Sequence, residues 1–184
     1  PIYDFIATAE EEEKPFYLWY APFMPHTPHN PPERILERYA KMDLDPGLAK
    51  YYAMCEWFDE TCGQLIEHLE EKGLRENTLI YYVCDNGWIQ RTPDTEVHEG
   101  YRRKFAPGSK QSAREGGVRS PIILSWPGVI EPDRKSDLVS SIDLIPTALN
   151  AAQVDVPDGL PGINLLPNAR DGERIDRDII FGDS

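Results

Sequence analysis

The chain has 184 residues, a length that fits one medium-sized domain or most of one. Hydrophobic residues make up 40% of it and charged residues 28%, which is typical of a globular protein rather than a disordered one. The formal net charge of −13 argues against nucleic-acid binding, because phosphate backbones require clustered Lys and Arg. No apolar run has the length needed to span a membrane.

The first part of the chain predicts two short helices around a strand. The acidic segment from Pro1 to Lys14 is typical of the tail of a helix. The continuous apolar run from Phe16 to Ala21 predicts a strand that is buried on both faces. A proline-rich loop with His26 and His29 follows, and a short helix is predicted from Glu33 to Met42.

A long amphipathic helix is predicted from about Pro46 to Lys72, and Gly73 provides a left-handed residue to end it. Cys55 and Cys62 lie seven positions apart on this helix, or roughly 10 Å, which is too far for a disulfide. Together with Cys84 they are interpreted as small buried hydrophobic residues. The apolar stripe of the helix comprises Leu48, Tyr51, Cys55, Phe58, Cys62, Leu65 and Leu69.

The second part continues the alternation of strands and helices, which predicts an α/β fold. Apolar runs predict strands at Thr78 to Cys84 and at Ser120 to Trp126. The segment between them, Trp88 to Ser112, is longer than most connections, and such loops tend to be functional or mobile. A helix is predicted near Ser141 to Ala152, with Ser141 or Asp143 as its cap. A final strand begins at Asp178 to Gly182, and this unflanked end indicates an excerpt of a longer protein.

The strand from Thr78 stops abruptly at Asp85-Asn86-Gly87. Polar groups just past the end of a buried strand are where open α/β sheets place their ligand chemistry. A carboxylate and a carboxamide offer hard oxygens, which suit Ca²⁺ or Mg²⁺ better than zinc or copper. Asp-Asn-Gly is also ordinary turn chemistry, and Ca²⁺ takes about six to eight oxygens, so further ligands would have to come from elsewhere.

Two other loops carry groups suited to an anionic ligand. If the first two strands are parallel neighbours, His26 or His29 shares the carboxyl edge of the sheet with Asp85. A histidine there can donate a proton or bind an anion, although a structural role is the simpler reading of each. Lys110 follows Gly-Ser, and Arg119 follows Gly-Gly-Val, so both can bring a cation to an anionic oxygen.

The order of these motifs resembles the sulfatase family, within the alkaline-phosphatase-like superfamily. The succession contains strand-Pro-His-Thr-Pro, a long helix, Cys84-Asp85-Asn86-Gly87, Gly-Ser-Lys, Gly116-Gly117-Val118-Arg119, Trp-Pro-Gly and Ser-Ile-Asp-Leu-Ile-Pro-Thr. The resemblance extends from about Pro15 to Gly182. It implies a partial alkaline-phosphatase-like fold with a mostly parallel central sheet flanked by helices. Residues 1–184 would be the central portion of one catalytic domain, truncated at both ends.

The resemblance also implies roles for individual residues. In sulfatases the Asp and Asn after this strand bind an active-site Ca²⁺, so Asp85 and Asn86 are the implied metal ligands, with Ca²⁺ preferred to Mg²⁺. The histidine of the Pro-His-x-Pro loop contacts the sulfate and protonates the leaving alcohol, which implies His26. The lysine after Asp-Asn-Gly binds a sulfate oxygen and assists the leaving group, which implies Lys110. The resemblance gives no definite role to His29, Trp88, Arg114 and Arg119, of which Arg119 is interpreted as an anchor for the Gly-Gly turn.

Two parts of a sulfatase site are absent from the sequence. Sulfatases use a formylglycine made in a Cys/Ser-x-Pro-x-Arg segment, and none of the three cysteines lies in one. The amino-terminal Asp-Asp pair of the metal shell is also absent, and the resemblance places both features before Pro1. The parent enzyme is therefore predicted to hydrolyse a sulfated small molecule or glycan by means of formylglycine and Ca²⁺, and this chain alone to lack turnover. A periplasmic or secreted location is favoured by the resemblance.

Two alternatives stay open. The first is a phosphate-ester hydrolase of the same superfamily, which is disfavoured because such enzymes usually bind paired zinc through His and Asp. The second is a non-catalytic remnant that binds a partner, or associates with itself, through the aromatic surface exposed by truncation.

Overall fold

The computed structural model describes residues 1–87, 110 and 113–181. Trp88, Gly108 and Ser109, which the sequence analysis named, lie outside these ranges. The chain divides into two compact units, Pro1–Leu74 and Arg75–Ser184. Within the described ranges, no helix contains an 18-residue window that is apolar enough to cross a bilayer.

The first unit is helical, as the sequence predicts for most of its length. Its short helices and its long helix begin and end close to the predicted positions. The helices are α1 (Ile2–Glu11), α2 (Glu33–Ala40) and α3 (Pro46–Glu71).

The long helix α3 is capped by Asp45 at its start and is followed at its end by Gly73, of which the sequence analysis predicts only Gly73. The Asp45 carboxylate accepts hydrogen bonds from the N–H groups of Gly47 and Leu48, at 2.8 and 3.1 Å. These bonds satisfy two of the amide donors that a helix start leaves unpaired. After the helix, Gly73 adopts a φ of +69°, the left-handed conformation that a glycine takes without strain. The predicted long helix and its glycine stop are confirmed.

The core of the first unit lies where α2 packs against α3. Ile35 of α2 and Ala53 of α3 are fully buried, and Met54 is nearly so. The buried residues of α3 are Ala49, Ala53, Met54 and Leu69, of which only Leu69 belongs to the predicted apolar stripe. Cys55 and Cys62 are half-buried free thiols, and burial raises the pKa of each.

Two predicted strands are not found. The segment Phe16–Ala21 forms no strand ladder with any described residue, and Tyr17 and Trp19 are 62% and 79% exposed, so its prediction as a buried strand is wrong. Residues 178–181 likewise form no strand, and Phe181 is 91% exposed. A strand requires a hydrogen-bonded neighbour, and an apolar run supplies the side chains for burial without supplying that neighbour.

Among its described residues, the second unit contains two strands, which are β1 (Ile80–Val83) and β2 (Ile122–Ser125). Both fall inside the apolar runs that predicted them. The helical elements of this unit are a 3₁₀ turn at Arg75–Asn77, α4 (Glu115–Val118), a second 3₁₀ turn at Ser141–Asp143, α5 (Leu144–Ala151) and α6 (Leu166–Asp171).

Strands β1 and β2 pair antiparallel, in a register that places Ile80 opposite Ser125 and Val83 opposite Ile122. This pair differs from the mostly parallel sheet expected from the sequence. The chain leaves β1 at Val83 and returns at its direct partner, Ile122. A connection that starts and finishes at the same end of the sheet produces antiparallel neighbours, whereas parallel neighbours require a crossover to the opposite end.

The second unit also contains a buried ion pair, between Asp143 and Arg177. Asp143 has no exposed surface, and its two carboxylate oxygens accept hydrogen bonds of 2.7 Å from the two terminal nitrogens of Arg177. The backbone N–H groups of Ser140 and Ile163 donate to the same carboxylate at 2.8 and 2.9 Å. Burial acts to raise the pKa of Asp143, but these hydrogen bonds outweigh it and hold the pKa below its usual value.

Candidate active site

The candidate metal ligands lie in the turn that follows β1. Asp85 is exposed and Asn86 is half-buried. The backbone N–H of Asn86 donates to Oδ1 of Asp85 at 2.9 Å, and the Asn86 side-chain amide donates to Oδ2. The Cys84 thiol donates to the Asn86 carbonyl at 3.2 Å. These short-range bonds hold the carboxylate and the carboxamide side by side at the end of the strand.

The turn is anchored by a contact between glycine backbones. The N–H of Gly87 donates to the carbonyl of Gly117 at 3.1 Å. A Cβ atom on Gly87 would lie 1.7 Å from the carbonyl oxygen of Gly116, a distance that no real contact allows. Only a glycine therefore fits at position 87. The close approach joins the Asp85-Asn86-Gly87 turn to α4, and thus brings together two motifs that are about thirty positions apart in sequence.

Two arginines, Arg114 and Arg119, flank α4. Arg119 forms an exposed ion pair with Glu115 one helical turn away, at 2.7 Å. The interpretation of Arg119 as an anchor for the Gly-Gly turn is still a prediction. Lys110 is half-buried and lies in a turn.

His26 lies in the first unit, in a turn closed by a 3.0 Å hydrogen bond from its own N–H to the carbonyl of Phe23. Its ring nitrogen Nδ1 lies 2.8 Å from the carbonyl oxygen of Thr27, and its ring centroid lies 5.0 Å from that of Phe23. The peptide bonds before Pro25 and Pro28 are cis. The imidazole of His26 is exposed, as expected for a group that meets a ligand.

His29, the alternative histidine, is placed differently. It is half-buried, and its ring centroid lies 5.7 Å from that of Tyr51 in α3. Contact with a helix side chain is typical of a structural residue. The choice of His26 over His29 as the ligand-facing histidine of this loop is still a prediction.

The structure joins some of the predicted site residues and leaves the relation of others as a prediction. Asp85 and Asn86 adjoin each other and share one turn with Gly87. His26 belongs to the first compact unit, whereas Asp85 and Lys110 belong to the second. Convergence of His26 and Lys110 on the Asp85 turn is still a prediction.

The donor set at the turn fits part of a calcium shell. One carboxylate and one amide oxygen, adjacent and reachable from solvent, are the hard ligands that Ca²⁺ prefers. Among the residues that the structure describes, no group of three or more His, Cys, Asp and Glu could hold a metal ion. Asp85 and Asn86 therefore fit two positions of such a shell, not a whole one.

Two features of the site were not predicted from the sequence. The contact between Gly87 and the Gly116-Gly117 backbone depends on the antiparallel pairing of β1 with β2, which no local pattern signals. The packing of Phe23 on His26 had a usable signal, because a spacing of three residues across a proline turn brings two side chains together.

Comparison with known proteins identifies the family. A model of the family "Sulfatase" matches residues 1–154. Human arylsulfatase A is 31% identical over 167 residues, which cover 90% of this chain and 31% of that protein. Mouse N-acetylgalactosamine-6-sulfatase is 30% identical over 181 residues, which cover 97% of this chain and 33% of that protein. The chain thus spans about a third of the length of these relatives.

A solved structure shows the same fold. The structure of Ps i-CgsB in complex with k-i-k-neocarrahexaose superimposes with a TM-score of 0.75 and 26% sequence identity, over 94% of this chain and 37% of that one. The α/β, alkaline-phosphatase-like fold class predicted from the sequence is confirmed at this level, although the small sheet described here is antiparallel. With a family match over residues 1–154 and two relatives at 30% identity or above, this chain belongs to the sulfatase family.

Proposed function

We propose that the protein containing these residues hydrolyses sulfate monoesters and releases inorganic sulfate and an alcohol. The main support is the Asp85-Asn86-Gly87 turn fixed against Gly116-Gly117, in a chain of the sulfatase family. This turn displays a carboxylate and an amide oxygen at the end of a strand, where a cation and an anionic ester can meet.

Asp85 and Asn86 are the residues that would hold Ca²⁺. When bound there, the ion would offset negative charge on the sulfate oxygens as the ester bond breaks. The task of the protein is to keep the two oxygen ligands adjacent. The hydrogen bonds from Asn86 to the Asp85 carboxylate and the rigid glycine contact behind them serve this purpose.

His26 and Lys110 would act on the substrate itself. Breaking the bond between sulfur and the alcohol oxygen leaves an alkoxide, which departs readily only if it receives a proton. His26, which is exposed in its loop, would hold that proton. The Lys110 ammonium would pair with a sulfate oxygen and stabilise the leaving group.

The substrate proposed is a sulfated small molecule or a sulfated glycan. The structural relative Ps i-CgsB was solved with a neocarrahexaose, which is a sugar oligomer. Residues 1–184 would be the central portion of a single catalytic domain, and the formylglycine nucleophile would come from outside them. None of Cys55, Cys62 and Cys84 is followed by x-Pro-x-Arg, so the chain alone is expected to be inactive.

The first experiment assays the purified chain with a generic aryl sulfate and Ca²⁺. We expect no release of the phenol above the uncatalysed rate. Clear metal-dependent release would contradict the assignment of the nucleophile to a segment outside residues 1–184.

The second experiment uses a form of the protein that carries a Cys/Ser-x-Pro-x-Arg segment together with this chain. His26→Ala and Lys110→Ala are each expected to lower kcat. The loss should be about 10²-fold or more for His26→Ala, which removes the proton donor. The matched controls His29→Ala and Lys41→Ala alter a packed histidine and an exposed lysine on the same chain, and should leave kcat within a few-fold. Equal losses of kcat in the two control variants would contradict the roles assigned to His26 and Lys110.

A second candidate function, a non-catalytic remnant, is favoured by the exposed side chains of Tyr17, Trp19 and Phe23. Single exposed aromatic residues are common, but three within seven positions would give a partner several apolar side chains to contact. Light scattering after size-exclusion chromatography distinguishes the two functions. A mass that rises with concentration, and falls in Trp19→Ser, supports the remnant; a constant monomer mass argues against it.

A further inference from the structure

The loop from Phe23 to Thr27 fixes the imidazole of His26 by three separate contacts. The His26 N–H donates to the Phe23 carbonyl at 3.0 Å, which closes a turn between the two residues. The two rings then lie 5.0 Å apart between centroids, with an interplanar angle of 56°. This separation is within the range of a direct aromatic contact. The third contact joins Nδ1 to the Thr27 carbonyl oxygen at 2.8 Å.

The third contact determines which ring nitrogen carries the permanent proton. A carbonyl oxygen only accepts hydrogen bonds, so Nδ1 of His26 must be the donor. The Thr27 hydroxyl, which could donate to an unprotonated Nδ1, lies farther away at 3.5 Å. The shorter contact, with the Thr27 carbonyl, therefore indicates that Nδ1 is protonated. In this state Nε2 is the nitrogen that gains and loses a proton.

The Phe23 ring keeps Nδ1 facing Thr27. A half-turn of the imidazole about its Cβ–Cγ bond would exchange Nδ1 with Cδ2 and Nε2 with Cε1. A carbon would then face the Thr27 carbonyl, and another carbon would take the place of Nε2. The Phe23 ring contacts the imidazole and restricts this rotation. Phe23 is itself 66% exposed, so its ring contributes little to the core of the unit, and its ring contact is with His26.

We infer that Phe23 is a positioning residue that, together with the Thr27 carbonyl, directs Nε2 of His26 toward the substrate as the proton-donating atom. The inference rests on the proposed function of His26. In the reaction, Nε2–H of the imidazolium gives its proton to the leaving alcohol oxygen, and the neutral Nδ1–H tautomer is left behind. Without Phe23 the ring would populate the other orientation, in which the reacting side presents a carbon.

The test is a long-range ¹H–¹⁵N correlation spectrum of the histidine rings in the whole chain, recorded at a pH where the imidazoles are neutral. The chain has four histidines, and His26→Ala assigns the signal of interest. We expect a single Nδ1–H tautomer for His26 in the natural sequence. In Phe23→Ala and Phe23→Leu we expect that pattern to give way to a mixture with Nε2–H, and in Phe23→Tyr to be retained.

Two controls separate positioning from loss of structure. Thr27→Val removes the distant hydroxyl but not the carbonyl, and should leave the His26 tautomer unchanged. The His29 signal reports whether the loop still packs on Tyr51, and should be the same in all variants. An Nε2–H tautomer in the natural sequence, or an unchanged tautomer in both Phe23→Ala and Phe23→Leu, would overturn the inference.

The measurement requires neither turnover nor metal. Failure of sulfate-ester hydrolysis in the protein would therefore reject the proposed function and leave the tautomer result standing. A wrong tautomer would reject the role of Phe23 and leave the proposed function standing.

Discussion

Asp85 and Asp143 lie in the same compact unit and have opposite surroundings. Asp143 is fully buried, and its carboxylate is saturated by Arg177 and by two backbone N–H groups. Asp85 is exposed, and the donors to its carboxylate come from the adjacent Asn86. A buried carboxylate with its oxygens occupied has a structural role, whereas an exposed one beside a second oxygen ligand is available to a cation.

The comparison shows that the two aspartate segments are held in place by different kinds of contact. The Asp143 segment is held by side-chain hydrogen bonds that cross long stretches of sequence. The Asp85 turn is held by the backbone bond between Gly87 and Gly117 and by local hydrogen bonds from Asn86 to the Asp85 carboxylate, which stays exposed. Substitutions at the two aspartates should therefore separate stability from metal binding.

The largest loss of stability is expected from Asp143→Asn. The substitution leaves the largely buried guanidinium of Arg177 without its counter-charge, and breaking a buried pair in this way costs about 3–5 kcal/mol. The free energy of unfolding, followed through the amide signals of residues 140–147 in denaturant, measures it. Asp158→Asn, which changes an exposed aspartate of the same unit, is the control and should stay within about 0.5 kcal/mol of the natural chain.

A loss of about 1–3 kcal/mol is expected from Gly87→Ala, because the new methyl group meets the Gly116 carbonyl at 1.7 Å and one of the two segments must move. The amide signals of Gly116 and Gly117 should shift in the same variant. Gly63→Ala is the control, since nothing lies within 4 Å of a Cβ at this helical position. It should stabilise the chain by about 0.5–1 kcal/mol. An unchanged free energy of unfolding in Gly87→Ala would show that Gly87 does not lie close to the Gly116 carbonyl.

A smaller effect is expected from pH. The folded-state pKa of Asp143 is held below its usual value, so its contribution to stability is complete above the unfolded pKa of about 4 and is lost as pH falls through the folded pKa. The difference in unfolding free energy between the natural chain and Asp143→Asn should therefore narrow below about pH 4. A difference that stays constant into the acid range would contradict the ionised state of Asp143.

The smallest effect on stability is expected from Asp85→Asn, within about 0.5 kcal/mol of the natural chain, because the side chain is exposed and its hydrogen bonds are local. Thermal unfolding without added metal measures it. A loss as large as that of Asp143→Asn would show that Asp85 is a structural residue, and the open turn would then not be a ligand site.

The sequence predicted the features that depend on local chemistry. The span of α3 follows from its apolar period and Gly73, and β1 and β2 follow from short apolar runs that end at polar residues. The Asp85-Asn86-Gly87 turn was located for the same reason. The contact of this turn with Gly117 was not predicted, because a contact between backbones that are distant in sequence leaves no signal in either local pattern.

The failures have a common physical cause. Phe16–Ala21 and residues 178–181 have apolar residues suited to strands but no ladder partner among the residues described. The pairing of Asp143 with Arg177 was also missed, since an acid and a base 34 positions apart carry no signal of their proximity. The Ser140 to Asp143 capping box was the local part of that cluster, and a cap at the start of this helix was predicted, although at Ser141 or Asp143.

The most direct measurement is paramagnetic broadening by Gd³⁺, which takes oxygen ligands as Ca²⁺ does, in ¹H–¹⁵N spectra of the natural chain, Asp85→Asn and Asp158→Asn. If Asp85 and Asn86 bind a hard cation, the amide signals of Gly87 and Gly117 broaden at low Gd³⁺ in the natural chain and in Asp158→Asn, and Ca²⁺ in excess restores them. In Asp85→Asn the same signals stay sharp. Equal broadening in Asp85→Asn, or none at Gly87 in the natural chain, would contradict a cation site at this turn.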